Sequence, residues 1–254
     1  MLAANFWEFP GLLVPCVGIF IMALLYSSVG HGGASGYLAV LGLLSLAPAA
    51  LRPTALVLNI LVSGLASWRF YQAGYFSWAR LWPFALASVP LAFLGGKLSL
   101  PPLYYRPLVG AVLLFSAAHL FWRPSLNPQK TTQPPPLLSA LSWGGLFGFL
   151  SGLTGVGGGI FLSPLLLLKR WAGLREASAT AAVFILVNST AGLLGRLQSV
   201  ASLPTFTPIF AACALGGGWI GATAGSRRFS LLIVNRILAT VLTVAGAKLI
   251  FFPV

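Results

Sequence analysis

Acid is almost absent from this sequence: Glu8 and Glu176 are the only carboxylate side chains among 254 residues. An enzyme that needs paired carboxylates for general acid–base work has nothing to build on, and neither has a cation carrier that needs an acid inside the membrane. Cysteine is equally scarce. Cys16 and Cys213 stand inside apolar runs, without a second cysteine or histidine at metal-ligand spacing, so they imply neither a zinc site nor a disulfide framework and read as small buried hydrophobes. No metal and no cofactor is expected. Charged residues of either sign make up 7% of the chain against 58% hydrophobic, and the mean hydropathy is +0.93. A chain with so little polar surface takes the bilayer as its solvent. The net charge of +13 does not point to nucleic acid, because the basic residues stand singly or in pairs at the ends of apolar runs and form no continuous basic face. The opening residues, Met1 to Phe9, lack a basic n-region, so the first apolar segment is expected to stay in the mature protein.

What the chain has in quantity is glycine, and two glycine clusters break long apolar runs at corresponding places. They are Gly30-His31-Gly32-Gly33 and Gly155-Val156-Gly157-Gly158-Gly159. A break in a spanning helix frees backbone N–H and C=O groups that lipid cannot satisfy, so it persists only where protein or a polar cavity supplies the bonds. Paired breaks in two halves are the mark of a transporter whose site lies between internal repeats.

The one long polar stretch, Arg123 to Pro136, divides the chain into repeats over 1–122 and 137–254, with a linker over 123–136. Five apolar segments follow in the same order on each side. In the first half they run roughly Pro10 to Ser28, Ala34 to Ala47, Pro53 to Tyr71, Leu81 to Leu100 and Pro107 to Trp122. In the second they run roughly Leu137 to Thr154, Ile160 to Leu168, Ala177 to Leu197, Pro208 to Gly225 and Leu231 to Phe252. An offset of 125 residues, which lays Gly30 on Gly155, also lays Gly32 on Gly157, Gly33 on Gly158 and Gly96 on Gly221. The last three segments of each half reach the length of about 20 residues that a crossing requires, whereas the pieces after the glycines are short. The expected fold is therefore an all-α polytopic membrane protein of two inverted repeats. Each repeat has a glycine-broken helical hairpin followed by three spanning helices, and the number of full crossings, six with two hairpins or ten, stays open.

Basic residues near segment ends orient the chain. Lys169, Arg170, Arg175, Arg227, Arg228, Arg123 and Lys130 form the strongest cytoplasmic set, which puts the Arg69 to Arg80 loop and the linker inside and both termini outside. Arg52 then falls outside and Arg175 inside, on opposite faces, as an inverted repeat requires.

A helix that begins just after a glycine turn presents unpaired N–H groups and the positive end of its dipole, and successive glycine N–H groups can form a concave nest. Two such tips with no interior acid favour an anion. The competing reading is that Gly32, Gly33, Gly157 and Gly158 only allow close helix packing, although packing motifs space glycines by four rather than clustering them. The third segment of each half carries polar residues in apolar surroundings: Asn59 and Ser63 in the first, Thr180, Asn188, Ser189 and Thr190 in the second. They face the bundle interior, either as interhelical hydrogen bonds or as donors to a substrate, and Asn188-Ser189 offers several donors together. His31 inside the first turn can contact an anion, couple to protons or simply stabilise the turn. Its counterpart is Val156, so a histidine role is not shared by the repeats, although Val156 belongs with Gly155, Gly157, Gly158 and Gly159 to the second expected substrate-binding turn. Arg69 and Arg196 close the third segments and either snorkel to the interface or guard a vestibule on each face.

The stretch Tyr26-Ser-Ser-Val-Gly-His-Gly-Gly-Ala-Ser-Gly-Tyr37 resembles the first signature of the TauE/SafE sulfite exporter family. Gly152-Leu-Thr-Gly-Val-Gly-Gly-Gly-Ile-Phe-Leu-Ser-Pro164, followed by Arg175-Glu-Ala-Ser-Ala-Thr180 and Val187-Asn-Ser-Thr-Ala-Gly192, resembles its second-half pattern. The first half departs at Ala34, where a third glycine often stands, and at Ala39, the position equivalent to Pro164. The resemblance implies a multi-pass permease of the bacterial cytoplasmic membrane that moves sulfite or a related sulfur-containing anion, commonly outward, and not an enzyme. Sulfite, organosulfonates and thiosulfate are all compatible with it. The partners are then the anion and the lipid bilayer, with monomer and homodimer both open. A rival class, a membrane sulfur-relay protein using Cys16 or Cys213 as nucleophile, suffers from distance. Cys16 lies fourteen residues before Gly30, about 21 Å along a helix.

Overall fold

The structure is a computed structural model that describes residues 9–28, 32–44, 48–121, 133–197, 203–228 and 231–251. These form ten helices and, among the described residues, no strand: α1 (Phe9–Ser28), α2 (Ala34–Leu43), α3 (Pro48–Gln72), α4 (Trp78–Lys97), α5 (Pro102–Phe121), α6 (Leu137–Thr154), α7 (Gly159–Leu168), α8 (Leu174–Leu197), α9 (Thr207–Arg228) and α10 (Leu231–Phe251). The chain is an all-α polytopic membrane protein. Six of these helices, α1, α3, α4, α5, α6 and α8, are long and apolar enough to cross a bilayer, and α9 and α10 have 22 and 21 residues. By contrast α2 and α7 have 10 residues each. At about 1.5 Å per residue they reach roughly 15 Å, half of a hydrocarbon core about 30 Å thick.

Helix boundaries follow the apolar runs except where a proline and a preceding arginine obscure the start. Expectation began the third and fifth segments at Pro53 and Pro107; α3 instead starts at Pro48 and α5 at Pro102, so both arginines, Arg52 and Arg106, are helical. Pro48 and Pro102 occupy the first helical position, where the missing N–H would have no partner anyway. Pro53 and Pro107 each remove one bond farther in, a loss the membrane bundle tolerates.

Polarity is distributed inside out. Leu13, Val14, Leu103, Leu138 and Phe251 are exposed, while Arg52, Asn59, Asn188 and Ser189 are buried. In water that would be costly; with lipid outside, the polar groups belong within the bundle.

Glycine then sets how closely the helices approach. Gly144, Gly148 and Gly152 of α6, spaced by four, lie on the backbone of Phe84, Ser88 and Ala92 in α4, where a Cβ on Gly148 would come within 2.5 Å of Ser88 Cα. Gly217 and Gly221 of α9 meet Phe20 and Leu24 of α1 in the same way, and a Cβ on Gly221 would stand 2.9 Å from Leu24 Cα. Such contacts replace the hydrophobic driving force that lipid denies to helix association. The first helix of each half thus packs on the fourth of the other, α1 on α9 and α6 on α4, while α3 pairs with α8 and α5 with α10.

The connecting segments gather on two faces. On one, Arg80 pairs with Glu176 at 3.1 Å, Arg175 donates to the Tyr75 hydroxyl, and the Gln133 N–H donates to the Arg170 carbonyl at 3.1 Å. On the other, Arg52 donates to the Leu98 carbonyl at 2.8 Å, Arg196 to the Ser99 hydroxyl at 2.6 Å, and Lys248 to the Leu43 carbonyl at 2.6 Å.

Candidate functional site

The second glycine cluster makes a sharp reversal between α6 and α7. Gly155, Gly157 and Gly158 all have positive φ, at 85°, 82° and 76°. An L side chain pays about 1–2 kcal/mol for that conformation, so three within four residues require glycine. In the first turn of α7 Phe161 and Leu162 donate to the Gly158 carbonyl at 3.1 and 3.2 Å, so the N–H groups of Gly159 and Ile160 are the ones left without an intrahelical acceptor. Two side chains fix the incoming end of the turn. Tyr105 donates to the Thr154 carbonyl at 2.9 Å, and Arg52 donates to the Gly152 carbonyl at 2.5 Å while its Cγ lies against Gly155.

In the first cluster, Gly30 and His31 lie outside the described residues, as do the linker residues 123–132. Gly33 caps the start of α2 with φ 94° and ψ 1°. Tyr37, fully buried, reaches back from α2 to donate to the Gly32 carbonyl at 3.1 Å, and the hydroxyls of Tyr26 and Ser35 are 2.7 Å apart.

The two turns meet at one amide. Asn59 of α3 lies between them: a Cβ on Gly32 would stand 3.2 Å from its Oδ1, and a Cβ on Gly157 would collide with its Nδ2. That nitrogen donates to the Val156 carbonyl at 3.4 Å and to the Ser189 hydroxyl of α8 at 3.3 Å. Both bonds are long beside the usual 2.9–3.0 Å or so. Among the described residues the Asn59 Oδ1 and the nearby Ser63 hydroxyl have no hydrogen-bond partner although both are buried. Loose bonds and open valences in a buried amide are unusual enough to require a reason. Because the amide can rotate by half a turn, it can present either its N–H₂ or its oxygen to either glycine turn.

Ile185, one turn before Ser189 on α8, completes the junction. Its side chain would contact a Cβ on Gly32, Gly157 or Gly159 at 3.0 Å, 2.9 Å and closer, respectively. Sequence reasoning missed it. The available signal was its i, i+3, i+4 relation to Asn188 and Ser189.

Other residues singled out in the sequence have separate positions. Asn188 donates to the Phe184 carbonyl of its own helix at 2.8 Å, leaving its Oδ1 without a partner. Gly158 turns toward Phe184, Phe147 and Ser151, inside the α6–α7 hairpin. Thr180 bonds back to the Glu176 carbonyl at 2.8 Å, an intrahelical contact. Arg69 is held over the Trp219 ring at 4.9 Å. Arg196 does not snorkel; it is buried, with its guanidinium on Ser99. Nor is Arg52 a loop charge, since it lies in α3 with four carbonyl acceptors, Leu98, Gly95, Gly96 and Gly152. Cys16 and Cys213, far apart in sequence, are free thiols on α1 and α9, two helices that pack together.

A helical bundle with two half-length helices whose glycine turns meet at a buried amide defines a polytopic transporter. The family model for "Sulfite exporter TauE/SafE" matches residues 16–249, and the chain belongs to that family. It is also 41% identical over 238 residues to the "Probable membrane transporter protein y4hK" of Sinorhizobium fredii, covering 92% of this chain and 96% of that one. No solved structure matches.

Proposed function

We propose that this transporter moves a small sulfur-containing oxyanion, sulfite or an organosulfonate, outward across the bacterial cytoplasmic membrane. It does so by alternating access around a site between the two glycine hairpins, near the midplane. The observation that carries this reading is the convergence of Gly32 and Gly157 on Asn59, with Ser63 and Ser189 beside it and no carboxylate among these residues. A buried set of N–H and O–H donors at the positive ends of two short helices suits an oxyanion. The repeats, 1–122 and 137–254 joined by a cytoplasmic linker, are related by inversion in this reading. The reciprocal pairing of first and fourth helices supports a two-fold relation between them. Sulfur as the anion's central element comes from the family's printed name, not from the geometry.

The test is flux in reconstituted vesicles offered sulfite, thiosulfate, sulfate and small sulfonates. Sulfite or sulfonate flux above that of protein-free vesicles is expected, and flux of none of them would overturn the reading. Preferential thiosulfate movement would favour the alternative of an uptake permease for a sulfur oxyanion. The lesser alternative is a sulfur relay through Cys16 or Cys213, both free thiols, on the packed helices α1 and α9. A cysteine-free variant with full flux disposes of it, since a relay requires a thiolate nucleophile.

A further inference from the structure

Between the second glycine turn and the nearer face of the protein lie two buried arginines with no carboxylate beside them among the described residues. Arg52 is 2% exposed and Arg196 9%. Both guanidinium groups converge on the end of α4, Arg52 on the carbonyls of Gly95, Gly96 and Leu98, Arg196 on the hydroxyl of the next residue, Ser99. Of the two carboxylates in the sequence, Glu176 pairs with Arg80 on the opposite face and Glu8 lies outside the described residues. Helix ends supply part of the compensation, at about half an elementary negative charge each. Even with α4, α6 and α8 all counted, that is roughly 1.5 negative charges against two positive ones. Each arginine also keeps a buried Nε–H with no acceptor among the described residues. A donor left so is costly unless something supplies the missing oxygen.

We propose that Arg52, Arg196 and Ser99 form a second oxyanion site, a station on the route between the glycine turns and the α4–α5 face. The station rests on the transport reading above and takes the same class of ligand. Ser99 is exposed, which opens the site to water on that side. On the inner side Arg52 lies against Gly155, so the station adjoins the turn that Asn59 closes. The halves are unequal in this respect. Arg175 and Arg69 stand at the corresponding ends of the other half, but among the described residues only Arg52 and Arg196 are buried arginines. An anion leaving the glycine turns on this side therefore meets a buried arginine pair, whereas the basic residues of the opposite face stand at its connecting segments. A guanidinium recognises planar or pyramidal oxyanions through paired N–H donors, which a lysine cannot reproduce in geometry.

The experiment is calorimetric titration of sulfite into lipid-free, detergent-purified protein, compared with variants that remain monodisperse. Wild type should bind two anions. Arg196→Gln should lose one of them or weaken it by at least about tenfold, as for other charge-assisted contacts, while Arg196→Lys retains more of it. Ser99→Asp, on an exposed residue where folding is not at stake, should abolish the same site by setting a carboxylate against Arg196. Asn59→Leu should remove the other site and leave this one. Unchanged stoichiometry and affinity in Arg196→Gln and Ser99→Asp would overturn the station while leaving the transport reading intact. Binding of neither sulfite nor, in a parallel titration, a small sulfonate by wild type would sink both. If sulfite leaves this site empty while an anionic phospholipid added to the same detergent binds there and loses affinity in Arg196→Gln, the occupant is a lipid phosphate and the station is likewise overturned.

Discussion

Asn59 on α3 and Ser189 on α8 are joined by a hydrogen bond of 3.3 Å that links the third helices of the two halves at the point where both glycine turns arrive. Neither residue has another strong side-chain tie, so the pair is poorly spent as structure and well placed for a ligand.

Asn59→Leu keeps the shape of the amide and removes its donors. Because the two bonds it loses are long, the expected stability cost is about 1 kcal/mol or less, whereas anion flux should fall at least about tenfold, equivalent to 1.4 kcal/mol. Thermal denaturation and vesicle flux measured on the same preparation separate these effects. A large drop in melting temperature with normal flux in the surviving protein would make Asn59 an interhelical tie only.

The order and kind of helices were legible in the sequence because a bilayer imposes one rule, a continuous apolar run, and all ten runs obey it. The short helices were legible too, since glycine clusters can end a membrane helix only where something else takes the backbone bonds. Asn59 and Ser189 were readable as polar residues in apolar segments. Three features were not. Gly144, Gly148 and Gly152 follow the four-residue spacing of a packing surface, yet only the facing backbone of α4 shows what they admit. Ile185 is one isoleucine among many apolar residues until its neighbours are known. Arg52 looked like a loop charge because a proline follows it, and nothing local in the chain shows that its acceptors lie on α4 and α6.

Glu176 ties two connections together on one face. It accepts from Arg80 at 3.1 Å and from the Gly173 N–H at 2.9 Å, the latter just ahead of α8. With side-chain exposures of 18% for Arg80 and 37% for Glu176, the ion pair is worth about 0–1 kcal/mol. Glu176→Gln should therefore cost no more than that, and the loss should shrink in high salt. Glu176→Ala removes the helix-start bond as well and should cost about 1 kcal/mol further. Equal melting temperatures for the two variants would show that the Gly173 bond contributes nothing.

Orientation can be read from labelling in a cysteine-free background. Ala73 and Ser99 are both exposed, in the α3–α4 and α4–α5 connections, on opposite faces. If the face of Lys169, Arg170 and Arg175 is cytoplasmic, as the excess of basic residues argues, Ser99→Cys should react with an impermeant maleimide on intact cells. Ala73→Cys should react only after permeabilisation. The reverse pattern would invert the topology and put the α4–α5 face, with the arginine station behind it, on the cytoplasmic side.

Gly157 distinguishes a binding turn from a merely tight one. Gly157 and Gly74 share a left-handed backbone, φ 82° and 73°, but a Cβ at Gly74 meets nothing within 4 Å, whereas at Gly157 it meets Asn59, Ile185 Cγ2 at 2.9 Å and Ser189 Oγ at 3.1 Å. Gly74→Ala therefore reports conformational strain alone, about 1–2 kcal/mol, and should leave flux unchanged in folded protein. Gly157→Val carries the same strain and also fills the space in front of the Asn59 amide, so flux should vanish even in the fraction that remains folded. The packing reading makes a different forecast: Gly157→Val would resemble Gly148→Val, whose Cβ collides with Ser88 backbone, and yield no folded protein. The deciding measurement is anion affinity of monodisperse Gly157→Val after any misfolded material is removed. Wild-type affinity there would show that the turn does not hold the substrate, because the added side chain occupies the space the anion needs.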